Sequence, residues 1–320
     1  MTSGKYLPVL RRNVLIFHQA ALGDFIVTWP IAMALSRILP QSRIIYVTHS
    51  QKGALAERVL RVERADTEAG WHLLYLPPSQ VPTLPDRSQQ LLDGAHTIVS
   101  FTVGQTDALA QGLARVAPHA RLVCLDTRRK DPAIHVCESL VCQLHDWPAL
   151  AGAAQQMLRS IAARGIAFNR TPQPGLVVIH PGAGKESNRW PAQRFLELIQ
   201  ALQAAGRSVR VLLGEAEIDR WPAERVEQFE SQAQLRRPHT LLDLLEEIVS
   251  ASVFVGNDSG PGHLAGILGV PTISLFGPNS DPVRWRPLGP AVRLLCAAAI
   301  EEIRVNQVLD AATAASGISE

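Results

Sequence analysis

Asn13-Val-Leu-Ile-Phe17 is an unbroken apolar run of strand length, and it gives way within a few residues to Gly23, Asp24 and a long apolar-periodic segment. A strand without alternation is one buried on both faces, the habit of parallel sheets covered by helices. The periodic segment predicts a helix over Phe25–Leu39, stopped by Pro40, and Arg43–Thr48 reads as the next strand. Strand, helix and strand in that order make a βαβ unit, which implies a parallel sheet with right-handed crossovers. Further strands are expected at His72–Leu76, Thr97–Phe101 and Arg121–Leu125.

The pattern then starts again. Gly165 to Gly175 is rich in Gly, Pro, Asn and Thr, which is turn and linker chemistry. Beyond it, strands are expected at Leu176–His180, Ser208–Leu213, Val253–Gly256 and Thr272–Phe276. Helices are expected at Pro191–Ala205, Leu241–Ser250, Gly260–Leu268 and Ile300–Ala315. A chain of 320 residues suits two α/β domains, here 1–168 and 169–320, with the final helix able to return to the first. Ligands of open parallel sheets bind beyond the C-terminal ends of the strands, so a cleft between two such domains is where chemistry is expected.

Composition excludes several classes. A net charge of +2 gives no general case for a nucleic-acid partner, and the Arg128-Arg129-Lys130 cluster reads as a solvated loop. Cys124, Cys137, Cys142 and Cys296 form no Cys-x-x-Cys pair, as expected of reduced thiols in the cytosol. Arg11 and Arg12 interrupt any secretory h-region, and no uncharged apolar run is long enough to span a bilayer. Any membrane contact is expected to be peripheral.

The richest segment is Val253-Phe-Val-Gly-Asn-Asp-Ser-Gly-Pro-Gly-His-Leu-Ala, a strand passing through a polar loop into a helix. Pro261 suits a first helical turn, and Ser259 or Asp258 can cap it. Such an N-terminus offers unpaired N–H groups and partial positive charge to a phosphate. His180-Pro-Gly-Ala-Gly-Lys-Glu-Ser is not a Walker A loop, because Glu186 follows the Lys and Ile179 stands where the first Gly belongs. No Gly-x-Gly-x-x-Gly follows the first strand, which argues against a dinucleotide oxidoreductase. Asp-x-Asp occurs nowhere, so no carboxylate pair of that kind holds a divalent ion on a diphosphate. Asp24 reads equally as a general base and as a helix N-cap.

Together these segments resemble the bacterial lipopolysaccharide heptosyltransferases, glycosyltransferase family nine. The likeness rests on Val14-Leu-Ile-Phe-His-Gln-Ala-Ala-Leu-Gly-Asp-Phe with Trp29-Pro30, and on His180-Pro-Gly-Ala-Gly with Arg189-Trp-Pro and Arg194-Phe. It also rests on Gly256-Asn-Asp-Ser-Gly-Pro-Gly-His-Leu-Ala, Gly269-Val-Pro and Phe276-Gly-Pro. The resemblance implies a GT-B fold: two Rossmann-like domains whose parallel sheets face a central cleft, acceptor half first and nucleotide-sugar half second. It implies an inverting, cofactor-free and metal-independent transfer of heptose from ADP-heptose to the lipopolysaccharide inner core, at the inner face of the inner membrane. It shifts Asp24 towards general base, and Lys185 and Arg189, near Asn188, are the cations left to meet leaving-group charge. It assigns the donor to Gly182, Asn188, Asp258, Ser259, Gly260 and His263, with Glu217 at the ribose and His239 at the adenine. Asn188 departs from the family, which usually carries Lys there. The alternatives are a transferase of the same fold with another nucleotide sugar, or a degenerate nucleotide or glycan binder.

Overall fold

The strands that the sequence marks as continuous apolar runs become the centres of two all-parallel sheets. The computed structural model describes residues 12–65, 69–77, 79–80, 83–101, 107–128 and 134–315. Two compact units form: Met1–Gln19 with Ile31–Arg129 and Leu140–Ala154, and Ala20–Pro30 with Lys130–Ser139 and Gln155–Glu320. Of the basic cluster, Arg128 is exposed, while Arg129 and Lys130 lie outside the described residues.

The first unit's sheet holds β1 (Asn13–Phe17), β2 (Arg43–Val47), β3 (Glu63–Ala65), β4 (Ala95–Phe101) and β5 (Arg121–Leu125) in the order β3-β2-β1-β4-β5. Central β1 is buried at every position, as an apolar run between two strands demands. Leu15, Phe17, Ile45, Val47 and Ile98 form its core with Leu109 and Leu113.

The second sheet holds β6 (Leu176–His180), β7 (Ser208–Leu212), β8 (Gln234–Arg236), β9 (Val253–Asn257), β10 (Thr272–Phe276) and β11 (Val292–Cys296). Their order is β11-β10-β9-β6-β7-β8. The chain runs outward from β6 through β7 to β8 and then crosses to β9 on the other side of β6. The β6–β9 pair, with His180 opposite Gly256, is therefore the switch point at which loops diverge and leave room for a ligand. The helix Val305–Ala315 buries Val308, Ala311 and Ala312 in the core of this second sheet, at the spacing of one helical face. The Gly165–Gly175 segment is pinned to the same unit: Arg170 donates to the carbonyls of Gly269 at 2.6 Å and Ala251 at 2.9 Å.

Two expectations are corrected, and strands at two sheet edges were not foreseen. Trp71–Tyr75, expected as part of a strand, is a 3₁₀ turn. Its buried residues, Trp71 and Leu74, are three apart, matching three residues per turn rather than strand alternation. The turn is set off by Gly70, whose φ of 78° favours glycine. The helix expected over Phe25–Leu39 is two helices, Leu22–Ile26 and Trp29–Ile38. Pro30 has no N–H to continue the first, and the Thr28 hydroxyl donates instead to the Phe25 carbonyl at 2.7 Å. Edge strands β3 and β8 carry charged or polar residues and no apolar run, so nothing in their sequence announces them.

Candidate active site

The loops after β6, β9 and β10 and the short Leu22–Ile26 helix, all within the second unit, line a cavity of about 390 Å³. Asp24, Lys185, Asn188, Asp258, Gly260 and His263 all border it, and Ser259 does too.

What brings Asp24 here is a glycine contact. A Cβ on Gly260 would lie 2.9 Å from the Cβ of Leu22, and one on Gly23 would lie 3.2 Å from the His263 ring. Bare backbones let the Leu22–Ile26 and Gly260–Ile267 helices pack this closely. Asp24 is not the helix cap, because Ala21 occupies the N-cap and Asp24 stands in the first turn.

Asn257, fully buried at the end of β9, fixes the loop after β6. Its Nδ2 donates to the carbonyls of Pro181 at 2.9 Å and Gly182 at 3.3 Å, and its Oδ1 accepts from the Trp190 N–H at 2.9 Å. Ser259 is the N-cap of the Gly260–Ile267 helix, but its side chain makes no capping bond and lies instead 3.4 Å from His180 Nδ1. The helix N-terminus thus keeps backbone donors for an anion.

Charge in the cavity is uneven. Asp24, Asp258 and Asp281 line it against one described cationic side chain, Lys185. Burial, and secondarily His135, push the imidazole of His263 down to about 3, so it is neutral and offers a hydrogen bond rather than a charge. His135 donates from Nε2 to the Arg286 carbonyl at 2.9 Å and accepts the Cys137 N–H at Nδ1, which fixes its tautomer. Burial pushes the Asp258 carboxyl up; a hydrogen bond from Ser280 opposes this, and the nearby Asp24 adds to it.

Four expected residues are placed elsewhere. Arg189 lines a separate cavity beside Trp221, its guanidinium 5.9 Å from that ring. Glu217 is buried, its Oε2 accepting the Gly214 N–H at 3.0 Å and lying 3.8 Å from His180 Nε2. Burial works to raise its carboxyl, but His180 and the backbone N–H groups of Gly214 and Glu217 outweigh it and hold the group below its ordinary value. Gly182 packs over this carboxylate, which a Cβ would strike. His239 is exposed and does not border the cavity.

Sequence reasoning missed Asn279, Ser280, Asp281 and Trp285, which complete the wall. The signal was present: Phe276-Gly-Pro-Asn-Ser-Asp-Pro is another strand end running into a capped turn, with Asp281 accepting the N–H groups of Val283 and Arg284.

Two all-parallel sheets of these orders, with polar groups gathered at strand ends, define a protein of the GT-B fold. Residues 115–310 match the family model for glycosyltransferase family 9 (heptosyltransferase), and the chain belongs to that family. It is similar to lipopolysaccharide heptosyltransferase 3 of Escherichia coli (strain K12), 31% identical over 140 residues; the match spans 42% of this chain and 38% of that relative's length. The solved glycosyl transferase family 9 protein of Veillonella parvula DSM 2008 is similar at a TM-score of 0.71 and 18% identity, over 95% of this chain and 97% of that one. Escherichia coli ADP-heptose lps heptosyltransferase II is similar at 0.69 and 16%, over 95% and 98%. At these identities the two solved structures establish the fold. Among the described residues no helix is long and apolar enough to cross a membrane.

Proposed function

We propose that the protein transfers a heptose from ADP-heptose to a lipopolysaccharide inner-core acceptor, with inversion and without a metal ion. The carrying observation is that one cavity gathers Asp24, Lys185 and Asp258 around the N-terminus of the Gly260–Ile267 helix. Residues 169–320 supply the donor side in this reading, 1–168 supply the acceptor side, and membrane contact is peripheral.

Asp24 accepts the proton of the acceptor hydroxyl. The oxygen attacks the anomeric carbon from the face opposite the diphosphate, and the bond from that carbon to the phosphate oxygen breaks, its electron pair leaving with ADP. The transition state is oxocarbenium-like. Growing charge on ADP meets the helix N-terminus and Lys185; preorganised donors of this kind supply about 3 kcal/mol each. His263, neutral, contributes a hydrogen bond, and Asp258 accepts from a sugar hydroxyl. The test is transfer from ADP-heptose with and without excess chelator. Loss of activity in EDTA, restored by magnesium or manganese, overturns the metal-free account.

A second reading keeps the fold and changes the donor. Glu217 and His239, the residues expected at ribose and adenine, do not border the cavity, which favours a different nucleotide. Calorimetric titration with a panel of nucleotide sugars separates the two.

A further inference from the structure

We propose that Ser280, itself held by Asn188, is a positioning residue that aims the Asp258 carboxylate at the sugar end of the donor. The inference rests on the donor reading above and deepens it. It makes the amide at 188 a working part of the site rather than a lost cation.

Asn188 ends the Glu186–Asn188 turn after β6 and is only 8% exposed. Its Nδ2 donates to Ser280 Oγ at 2.8 Å, and Ser280 Oγ lies 2.8 Å from Asp258 Oδ2. The direction of this chain is forced. An amide NH₂ can only donate, an ionised carboxylate can only accept, and the hydroxyl between them has one proton to give. Ser280 therefore accepts from Asn188 and donates to Asp258. The three residues come from the loops after β6, β10 and β9, so the chain ties together the walls of the cavity they line. One carboxylate oxygen of Asp258 is occupied by Ser280, which leaves Oδ1 to accept from a ligand hydroxyl.

The surrounding charges say why such a device is needed. Asp24 and Asp281 share the cavity with Asp258, with Lys185 as the countercharge among the described lining residues, His263 neutral, and His180 behind Ser259. Burial and the nearby Asp24 both favour the protonated form of Asp258, and the bond from Ser280 opposes them. A protonated Asp258 would lose acceptor capacity, so Ser280 keeps it both oriented and ionised. A mere loop staple would lower stability and leave these properties alone.

The test uses the full chain and three variants: Ser280→Ala, Ser280→Thr and Ser280→Ala/Asn188→Ala. Without any donor, the carboxyl carbon of Asp258 is titrated by NMR. Ser280→Ala should move its midpoint to higher pH, and Ser280→Thr, which keeps the hydroxyl, should not. With ADP-heptose, Ser280→Ala should raise the donor KM about tenfold, the scale of a hydrogen bond to a charged group. Affinity for ADP, which lacks the sugar, should stay unchanged. The double variant should lose no more than Ser280→Ala, since both residues act through one chain. An unmoved Asp258 titration overturns the inference, and so does an equal loss of ADP and ADP-heptose binding. If the parent chain uses no ADP-heptose, the functional reading fails instead, and the titration alone decides the Asn188–Ser280–Asp258 chain.

Discussion

The loop after β6 borders two cavities, and they are built on opposite principles. On one wall it presents Lys185 and Asn188 to Asp24, Asp258 and the N-terminus of the Gly260–Ile267 helix. On the other it presents Glu186 and Arg189 to Trp221, Arg225 and Glu301. The second cavity neutralises itself, two carboxylates against two guanidiniums, with Arg189 and Arg225 lying over the indole at 5.9 and 5.4 Å. Among the described residues, the first brings three carboxylates, one ammonium and a helix terminus together. Titratable groups gathered and perturbed in one cleft in this way mark a functional site. Residues adjacent in sequence face different walls, and side-chain direction rather than proximity decides which of them meets the donor.

The sharpest way to break this contrast is at Asp24. Asp24→Asn keeps shape and removes the base, so turnover should fall about a hundredfold or more with ADP binding retained. Single-turnover kinetics on a variant with a native circular dichroism spectrum check it. Near-normal turnover would leave Asp24 as a first-turn carboxylate favoured by the helix dipole.

The next effect tests how Asp24 is delivered. Gly260→Val should crowd Leu22 rather than a ligand, costing about 1–3 kcal/mol of stability as overpacking does. Adding Leu22→Ala should recover part of that loss in thermal unfolding. If the double variant is no better than the single, the helix contact is not what the glycine serves.

His263 asks whether the converging cavity hides a second cation. Its folded-state value of about 3 lies below the ordinary 6.5, so between those limits the unfolded chain binds a proton that the folded chain does not. Stability is therefore intact above pH 6.5 and falls as pH drops towards 3, by at most about 1.4 kcal/mol per pH unit from this group. His263→Gln should flatten that dependence in denaturant unfolding series. An unchanged slope would mean that His263 is already charged in the fold.

Much of the scaffold was legible because buried parallel strands announce themselves. β1, β6 and β10 coincide with their apolar runs, since each is fully buried and flanked by loop chemistry. Edge strands β3 and β8 and the 3₁₀ turn at Trp71 were not, because those two edges carry no apolar run and a short apolar stretch does not declare its period. At the site, the polar loops after β6 and β9 were visible as strand ends. Side-chain direction was not: nothing local says that Glu217 folds inward under Gly182, or that Ser259 caps with its backbone while its hydroxyl approaches His180. Ser280 escaped for a different reason. Its role depends on partners 92 and 22 residues away, and no window of sequence contains them.

Lys185→Ala should lower turnover about tenfold and donor affinity less, because leaving-group charge peaks in the transition state. Comparing kcat with ADP affinity separates this from simple loss of binding.

Arg189→Ala should do the least to catalysis, and this is where the two walls can be told apart most cleanly. Arg189 would be the natural substitute for Lys185 if proximity in sequence decided function, since the two stand only four positions apart in one loop. The structure gives its guanidinium to the Trp221 ring, in a cavity whose carboxylates, Glu186 and Glu301, already balance it. A contact of that kind stabilises by about 0.5–1 kcal/mol at a partly exposed site. The variant should therefore unfold at a slightly lower temperature while its kcat stays within about twofold of the parent, a change below ~0.4 kcal/mol in transition-state energy. Paired measurement of Tm and kcat on Arg189→Ala and Lys185→Ala should give opposite patterns, one losing stability and the other turnover. If Arg189→Ala instead loses turnover as Lys185→Ala does, the guanidinium reaches the donor during the reaction, and the division of the loop into a reactive wall and a self-neutralised one fails.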